Sequence, residues 1–327
     1  MSKLVTIYGG SGFVGRYIAR RMAKLGWRVR VAVRHPNEAL FVKPYGSVGQ
    51  VEPVFCNIRD DASVRAVMQG ADAVVNCVGT FDARGKNSFD AVQVEGAERI
   101  ARIAAEQGAE ALVHISAIGA DTESRSGYAR SKALGEEAVR AAFPSAMILR
   151  PSVIFGMEDQ FFNRFASMSR MGPVLVLVGA DRNFQPVYVD NVAEAAEKGL
   201  TGAAAPGVYE LGGPEVKSFR AFLQEMLTVI RRRKMLVNLP YGLASVIGGV
   251  AEFVQRITGG LFTAPITRDQ VVMLRKDNVV SEGARGLTDL GITPVAPEAV
   301  MPDYLWRFRP GGQYDAIKES AANLRTE

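Results

Sequence analysis

The feature that most constrains this chain is a glycine-rich loop near its start, between an apolar run and an amphipathic segment. The loop spans residues 9–15, Gly-Gly-Ser-Gly-Phe-Val-Gly, and directly follows the apolar run 4–8. Val14, Ile18 and Met22 then recur every four residues, a spacing typical of a helix packed on a sheet. A glycine loop between a strand and a helix predicts that backbone N–H groups bind the phosphates of a dinucleotide.

The three glycines of this G-x-x-G-x-x-G spacing have separate physical roles. Gly9 permits the tight turn, Gly12 lets the backbone approach the pyrophosphate, and Gly15 allows the helix to pack closely on the sheet. The phosphates are then expected at the positive end of the helix dipole. The cofactor-binding residues predicted in the loop are Gly9, Ser11, Gly12, Phe13, Val14 and Gly15.

The residues after the second apolar run indicate which dinucleotide is bound. A site selective for NAD has an acidic residue roughly 20 positions after the loop, where it holds the ribose 2′-hydroxyl. This chain has Val33-Arg34-His35 there, and Arg34 pairs with a 2′-phosphate that a carboxylate would repel. With Arg16 as a second cation, the sequence predicts NADPH rather than NADH. The alternative is that both are ordinary surface arginines.

Short apolar runs bounded by turn residues recur along the first half of the chain, with helical patterns between them. The runs are 4–8, 28–33, 51–55, 73–78, 111–115 and 146–150. Strands that alternate with helices form parallel sheets with right-handed crossovers. We therefore expect an α/β fold with a doubly wound parallel sheet, the Rossmann fold.

The rhythm of strands and helices changes after residue 155, which suggests a second domain. Residues 1–155 are assigned to the dinucleotide-binding domain, and 187–200 return to it as one more strand and helix. Residues 156–186 and 201–308 lack this alternation and are expected to form a smaller, mostly helical C-terminal part. The polar segment 309–327 is expected to be an extended tail.

Composition limits the chemistry that the chain can support. Cys56 and Cys77 provide neither a disulfide framework nor metal-ligand spacing, and only two histidines are present. We therefore expect no metal. The net charge of +5 comes without a nucleic-acid-binding motif, so we expect no nucleic-acid partner either.

A second local pattern indicates dehydrogenase chemistry. Tyr128 and Lys132 are four residues apart, which places them on one helical face, and Ser116 lies at the end of the fifth apolar run. In such a trio the ammonium lowers the pKa of the tyrosine and holds the nicotinamide ribose. The tyrosine then transfers a proton while the serine binds the carbonyl oxygen.

With these residues the first 200 positions resemble the short-chain dehydrogenase/reductase superfamily in its extended or atypical branch. The resemblance rests on the glycine loop, the Ser-Tyr-Lys trio and the motifs Cys56-Asn57-Ile58, Val78-Gly79-Thr80 and 150–156. It implies that Asn57 and Ile58 face the adenine. It further implies that Val78, Gly79 and Thr80 line the ribose side, and that Pro151 and Ile154 lie near the nicotinamide.

A narrower resemblance spans nearly the whole chain. Residues 9–17, 143–156 and 306–312 are similar to the NADPH-binding accessory subunit of respiratory complex I (NADH:ubiquinone oxidoreductase), the alpha-subcomplex subunit nine family and its bacterial counterparts. The resemblance implies a tightly held NADPH, other complex I subunits as partners, and a position near the quinone site without independent catalysis. It implies the cytoplasmic face of a bacterial inner membrane, or the matrix face in mitochondria.

A basic run and an amphipathic segment suggest peripheral membrane contact. Residues 231–234, Arg-Arg-Arg-Lys, precede an apolar stripe within 241–262. The stripe comprises Leu243, Val246, Ile247, Val250, Phe253, Val254, Ile257 and Leu261. Such a pair of features is typical of helices lying on an anionic membrane surface, whereas Glu252 and Arg256 argue against a membrane span. The alternative is a helix packed on its own core, with the basic run in water.

Two other functions remain open. The chain is either a complex I accessory subunit, a free-standing NADPH-dependent reductase or epimerase using Ser116, Tyr128 and Lys132, or a redox sensor that releases a partner protein. The sensor requires a partner whose affinity differs between NADPH and NADP⁺.

Overall fold

The computed structural model describes residues 2–81, 85–257, 266–312 and 314. The chain divides into two compact units. The first comprises Met1–Ser152, Val189–Gly212 and Val280–Pro294. The second comprises Val153–Tyr188, Gly213–Val279 and Val295–Glu327.

The described residues contain strands and helices that are numbered here in chain order. The strands are β1 Leu4–Tyr8, β2 Arg28–Val33, β3 Val51–Phe55, β4 Ala73–Asn76, β5 Ala111–Ile115, β6 Met147–Pro151, β7 Ile154–Phe155, β8 Val174–Val178, β9 Asn183–Phe184, β10 Val187–Tyr188, β11 Gly207–Leu211, β12 Lys217–Ser218 and β13 Met235–Leu239. The α-helices are α1 Phe13–Lys24, α2 Asp61–Met68, α3 Glu95–Glu106, α4 Gly127–Ala142, α5 Phe162–Met168, α6 Val189–Leu200, α7 Phe219–Val229, α8 Tyr241–Ile257, α9 Arg268–Met273 and α10 Pro297–Leu305. Pro36–Tyr45 and Trp306–Phe308 form 3₁₀ helices, and Asp90–Val94 forms a π-helical turn before α3.

The first unit is built on one parallel sheet. Among the described residues its strand order is β11-β6-β5-β4-β1-β2-β3, and every neighbouring pair is parallel. This confirms the doubly wound fold. Strand β4 ends at Asn76 instead of residue 78, because the Asn76 side chain accepts a hydrogen bond from Val78 N and turns the chain out of the sheet.

The segment that returns to this sheet differs from the one expected at 187–200. Strand β10 pairs with β7 in the second unit, whereas β11 pairs with β6 in the main sheet. Residues 201–212 and 280–294, expected in the smaller part, therefore belong to the first unit. The apolar pattern did not reveal β11 because Glu210 lies within it, where it pairs with Arg150 and accepts from Ser281 N.

Helix α6 belongs to the first unit, as expected, and an ion-pair cluster joins it to α1. The Arg21 guanidinium donates to three carboxylates spaced along α6, those of Asp190, Glu194 and Glu197. Helix α1 begins at the glycine loop, so these bonds hold the helix that carries the phosphate-binding end.

The second unit combines helices with three short strand pairs. Strands β7 and β10 are parallel, as are β8 and β13, whereas β9 and β12 are antiparallel. Its core is rich in aromatic rings, with Phe155, Phe162 and Phe222 fully buried. The expected tail 309–327 lies mostly outside the described residues.

Helix α8 packs through its face of small residues, whereas its face of large apolar residues is exposed. Its small residues Ala244, Gly248 and Ala251 are buried or half-buried, and Gly248 lies against the start of α9. The large apolar residues of the stripe that are described are exposed, from Leu243 through Phe253 to Ile257. The helix therefore packs on its own unit through Ala244, beside Val178 and Val271, and leaves the described part of the stripe exposed. Contact of this stripe with a membrane stays a prediction. The side chains of Val254 and Leu261 lie outside the described residues. None of the described helices is both long and apolar enough to cross a membrane.

Candidate dinucleotide site

The predicted site residues of the first unit follow successive strands at one edge of the sheet. The glycine loop follows β1, Arg34 follows β2, and Asn57 and Ile58 follow β3. Val78, Gly79 and Thr80 follow β4, Ser116 follows β5, and Pro151 ends β6. Because all these strands are parallel, their carboxyl ends share an edge, and the strand order reverses between β1 and β4. Ile154 lies in β7 of the second unit.

The glycines of the loop form a cradle that side chains would fill. Gly9 has φ +75°, and a Cβ there would lie 3.2 Å from the carbonyl of Cys77. A Cβ on Gly15 would lie 2.5 Å from Gly9 O and 2.7 Å from Gly10 Cα. The loop therefore tolerates only glycine at these positions, as the spacing predicted.

The start of α1 is open to an anion. Gly12 is its N-cap, and no side chain caps the helix. Gly12 N donates to Gly9 O at 2.9 Å, which folds the loop so that the next N–H groups open the helix. The uncapped N–H groups and the helix dipole suit a pyrophosphate, so the residues present fit a dinucleotide. A bound nicotinamide supplies hydride-transfer chemistry.

The two cations proposed for a 2′-phosphate differ in their surroundings. Arg16 donates from Nη2 to Ser11 O at 3.0 Å and stacks 4.6 Å above the ring of Phe41. Arg34 is exposed and makes no hydrogen bond or ion pair within the described part of the chain. Arg16 is therefore partly engaged by the loop itself, which leaves Arg34 as the cation available to a ligand.

The turn after β4 brings the glycine loop and Lys132 together. A Cβ on Gly9 would meet Val78 Cγ2 at 3.3 Å, and a Cβ on Gly79 would lie 3.5 Å from Lys132 Nζ. Lys132 Nζ donates to Ile115 O at 2.9 Å, and burial lowers the pKa of this lysine to about 8. Glu136 partly offsets this by raising the pKa. The Lys132 ammonium therefore lies beside the turn after β4.

The residues after β3 are held by local contacts. Asn57 Oδ1 accepts from Arg59 N at 3.2 Å, which forms a turn before α2. Ile58 packs against Gly96 on α3, where a Cβ would come within 3.0 Å of Ile58 Cδ1. Both residues are half-buried, and their contact with an adenine stays a prediction.

Tyr128 lies in an aromatic enclosure. Its ring stacks on Phe81 with centroids 4.5 Å apart and meets Phe89 edge-on at 6.1 Å. Burial raises the pKa of Tyr128 well above its ordinary value, and Lys132 is not among the causes. That Lys132 lowers the pKa of Tyr128 stays a prediction.

Ser116 belongs to a buried charge network that the sequence patterns did not reveal. Its hydroxyl donates to Glu136 Oε1 at 2.5 Å, and Arg150 donates to both oxygens of Glu136. Arg150 also pairs with Glu210 at 3.4 Å. Removing one partner of such a buried pair typically costs about 3–5 kcal/mol of stability. The sequence feature that could have indicated this network is Glu136, which lies one helical turn after Lys132.

His114 is buried in β5, two residues before Ser116. Its Nδ1 lies 3.1 Å from Asn76 Nδ2, and burial lowers its pKa to about 3, so the ring stays neutral. The described residues contain one group of three carboxylates close enough to share a ligand, Glu215, Glu225 and Glu298. Lys217 Nζ already contacts all three, at 2.8, 2.6 and 3.3 Å.

The family of the chain follows from comparison with known proteins. Residues 5–212 match the model of the NAD dependent epimerase/dehydratase family. The chain belongs to this family. The matched region contains the glycine loop, the turn after β4, the Tyr128–Lys132 pair and β11. Membership supports a nicotinamide dinucleotide as the cofactor and does not distinguish NADPH from NADH.

Within this family the chain is homologous to complex I subunits. It is 33% identical over 316 residues to NADH dehydrogenase (ubiquinone) 1 alpha subcomplex subunit 9 of Arabidopsis thaliana, covering 94% of this chain and 79% of that protein. It is 30% identical over 311 residues to the NADH-ubiquinone oxidoreductase 40 kDa subunit of Neurospora crassa, covering 95% and 80%. The resemblance to the subunit nine family is thereby confirmed.

A solved structure supports the same fold. The UDP-glucose 4-epimerase of Thermus thermophilus, in complex with NAD, matches with a TM-score of 0.66 at 18% identity, covering 94% of this chain and 99% of that one. At this identity the match establishes the architecture and leaves the activity open.

Proposed function

We propose that this chain is an NADPH-binding accessory subunit of respiratory complex I, held among other subunits near the membrane junction of the peripheral arm. The observation that carries the proposal is homology to complex I subunits over 94% of the chain. The open helix end at Gly12 and the fit of the glycine cradle support a bound dinucleotide in that setting.

The choice of NADPH rests on Arg34. Its guanidinium is exposed after β2, where an acidic residue would select NADH. A 2′-phosphate accepts charge-assisted hydrogen bonds from a guanidinium in this position. Arg16 contributes mainly to the shape of the loop, so the preference depends on one cation.

The bound nucleotide serves as a structural element in this proposal. Phe81 and Phe89 enclose Tyr128, and burial raises its pKa, so the phenol stays protonated at neutral pH. The Ser116 hydroxyl is engaged by Glu136. These contacts favour a role for the trio in holding the cofactor and the sheet edge together, without turnover.

The exposed stripe of α8 supports a peripheral position at a membrane or at a membrane-embedded partner. Val246, Val250 and Phe253 each expose more than half of their surface. Together with the basic run 231–234, this face suits an anionic membrane surface, at the cytoplasmic side in bacteria or the matrix side in mitochondria.

Native gel electrophoresis of gently solubilised membranes tests the proposal. The chain is expected to migrate with the band that has NADH:quinone oxidoreductase activity. Migration at the mass of the free chain, with the activity band lacking it, would count decisively against the assignment.

A second candidate is a free-standing NADPH-dependent reductase or epimerase. The Tyr128–Lys132 pair and the family match favour it, since the family description names NAD-dependent epimerases and dehydratases. In that case Tyr128 donates the proton and Lys132 anchors the ribose. If the chain is such an enzyme, replacing Tyr128 with Phe abolishes turnover of its substrate. If its role is purely structural, the wild type shows no turnover either.

A further inference from the structure

The basic run of the second unit lines a cavity. Arg231, Arg232, Arg233 and Lys234 connect the end of α7 to β13, and with the last turns of α7 they surround a volume of about 610 Å³. The α7 wall consists of Gln224, Leu227 and Thr228. Four consecutive cations therefore line this open cavity.

Three of the four cations in this run are not paired with carboxylates of the described residues. Within the described ranges Arg232, Arg233 and Lys234 have no ion pair, whereas Arg21 in the first unit pairs with three carboxylates of α6. The carboxyl end of α7 offers roughly half of one negative charge. That is too little to neutralise Arg232, Arg233 and Lys234, so the cavity remains positive.

Two of the cations are held in place by backbone carbonyls. Arg232 Nε donates to Phe308 O at 2.8 Å, and Lys234 Nζ donates to Gly172 O at 2.6 Å. Each side chain keeps further N–H groups for a ligand, because a guanidinium carries five donors and an ammonium three. The cations are therefore partly ordered before any ligand arrives.

The backbone at Arg231 has a left-handed conformation, which residues other than glycine rarely adopt. Its φ is +55°, the only positive φ of a residue other than glycine in the described chain. The residue directly follows the C-cap of α7, a position where glycine is usual because it carries no Cβ penalty. Arginine occupies this position despite that penalty, and its exposed side chain lines the cavity.

We propose that this cavity is a binding site for a phosphate group. A guanidinium pairs with phosphate through parallel hydrogen bonds, and several cations around one concavity suit a multiply charged phosphate. The phosphate belongs either to an anionic phospholipid headgroup or to a soluble phosphate compound. The site is in the second unit, is separate from the glycine loop, and does not depend on membership of complex I.

Two binding assays distinguish the sources. NADPH-saturated protein, whose glycine loop is occupied, is titrated with inorganic pyrophosphate by calorimetry. The same protein is sedimented with vesicles of phosphatidylcholine alone, or of phosphatidylcholine and phosphatidylglycerol in equal parts. Binding of pyrophosphate indicates a soluble ligand, and binding only to the anionic vesicles indicates a headgroup. Either result supports a phosphate site in this cavity if the cavity variant described next weakens it, because the exposed stripe of α8 also suits an anionic surface.

A double variant tests whether the binding belongs to this cavity. Arg231→Gly with Arg233→Ala removes two guanidiniums while glycine relieves the strained backbone, so the fold should persist. Lys24→Ala with Arg28→Ala removes equal charge from exposed side chains of the first unit that have no ion pair among the described residues. We expect binding about tenfold weaker in the first variant and unchanged in the second. Equal weakening in both, or no binding of either probe by the wild type, would overturn the proposal.

Discussion

The ring of Phe81 lies nearly parallel to that of Tyr128, with an interplanar angle of 17° and centroids 4.5 Å apart. The ring of Phe89 meets the ring of Tyr128 edge-on, at an interplanar angle of 77°. Tyr128 is consequently buried beside Phe81, which is itself exposed. This pairing explains why a Tyr-x-x-x-Lys pattern coexists with a raised tyrosine pKa. Desolvation of the ring disfavours the phenolate and so raises the pKa of Tyr128.

Replacing Phe81 with Ala should lower the pKa of Tyr128 towards the ordinary tyrosine value of 10. The change removes the stacked ring and admits water, which favours the phenolate. Ultraviolet difference titration of the wild type and the variant measures the shift. Tyr128→Phe in both backgrounds identifies the signal, and an unchanged titration would show that Phe81 does not control the burial.

Replacing Arg34 with Asp should weaken NADPH binding by about a hundredfold while leaving NADH nearly unaffected, since a carboxylate repels the 2′-phosphate and suits the 2′-hydroxyl. Fluorescence titration with each nucleotide gives the two affinities. Arg28→Asp is the matched control, because it makes the same charge change at the opposite end of β2. Equal loss of both nucleotides would contradict the assignment of Arg34.

His114 should make the fold sensitive to acid. Its pKa is about 3 in the folded chain, against an ordinary value of 6.5. Between these values the unfolded chain binds a proton that the folded chain excludes, so stability falls as pH falls below about 6.5. At pH 5 the expected contribution is roughly 2 kcal/mol of lost unfolding free energy.

Urea unfolding at pH 7.5 and pH 5 measures this effect in the wild type and in His114→Gln. The variant lacks the titrating ring, so its free energy of unfolding should fall less between the two pH values. An identical fall in both proteins would assign the acid sensitivity to other groups.

The exposed face of α8 should contribute to assembly and little to folding. In Val246→Gln with Val250→Gln, the thermal midpoint should stay close to that of the wild type, because both side chains are more than half exposed. Association with the membrane fraction should fall. Ala251→Gln on the buried face is the contrasting variant and should destabilise the chain by about 1–3 kcal/mol through overpacking. Unchanged membrane association of the double variant would exclude this face as the contact.

The parts of the fold governed by local patterns were predictable. The glycine loop, the first six strands and the parallel sheet follow from apolar runs and from the handedness of crossovers. Strand β11 was missed because the buried Glu210 interrupts its apolar pattern. Its charge is tolerated there because Arg150 lies opposite and Ser281 N donates to it, and both are distant in sequence.

The chemistry of the site was less accessible to sequence reasoning. The spacing of Tyr128 and Lys132 correctly indicates a shared helical face, but the pKa of each depends on burial by residues from other elements. Phe81 comes from the turn after β4, and no pattern links it to α4. The amphipathic spacing of α8 predicted its apolar stripe. It did not predict which face packs, because the packed face consists of small residues that lie against α9.

Mass spectrometry of the native molecule, captured from gently solubilised membranes, tests the central claim most directly. It identifies both the proteins and the nucleotide that remain bound. The account predicts complex I subunits together with NADPH, at about one nucleotide per chain. A chain recovered without those subunits, or carrying NADH in place of NADPH, would contradict it.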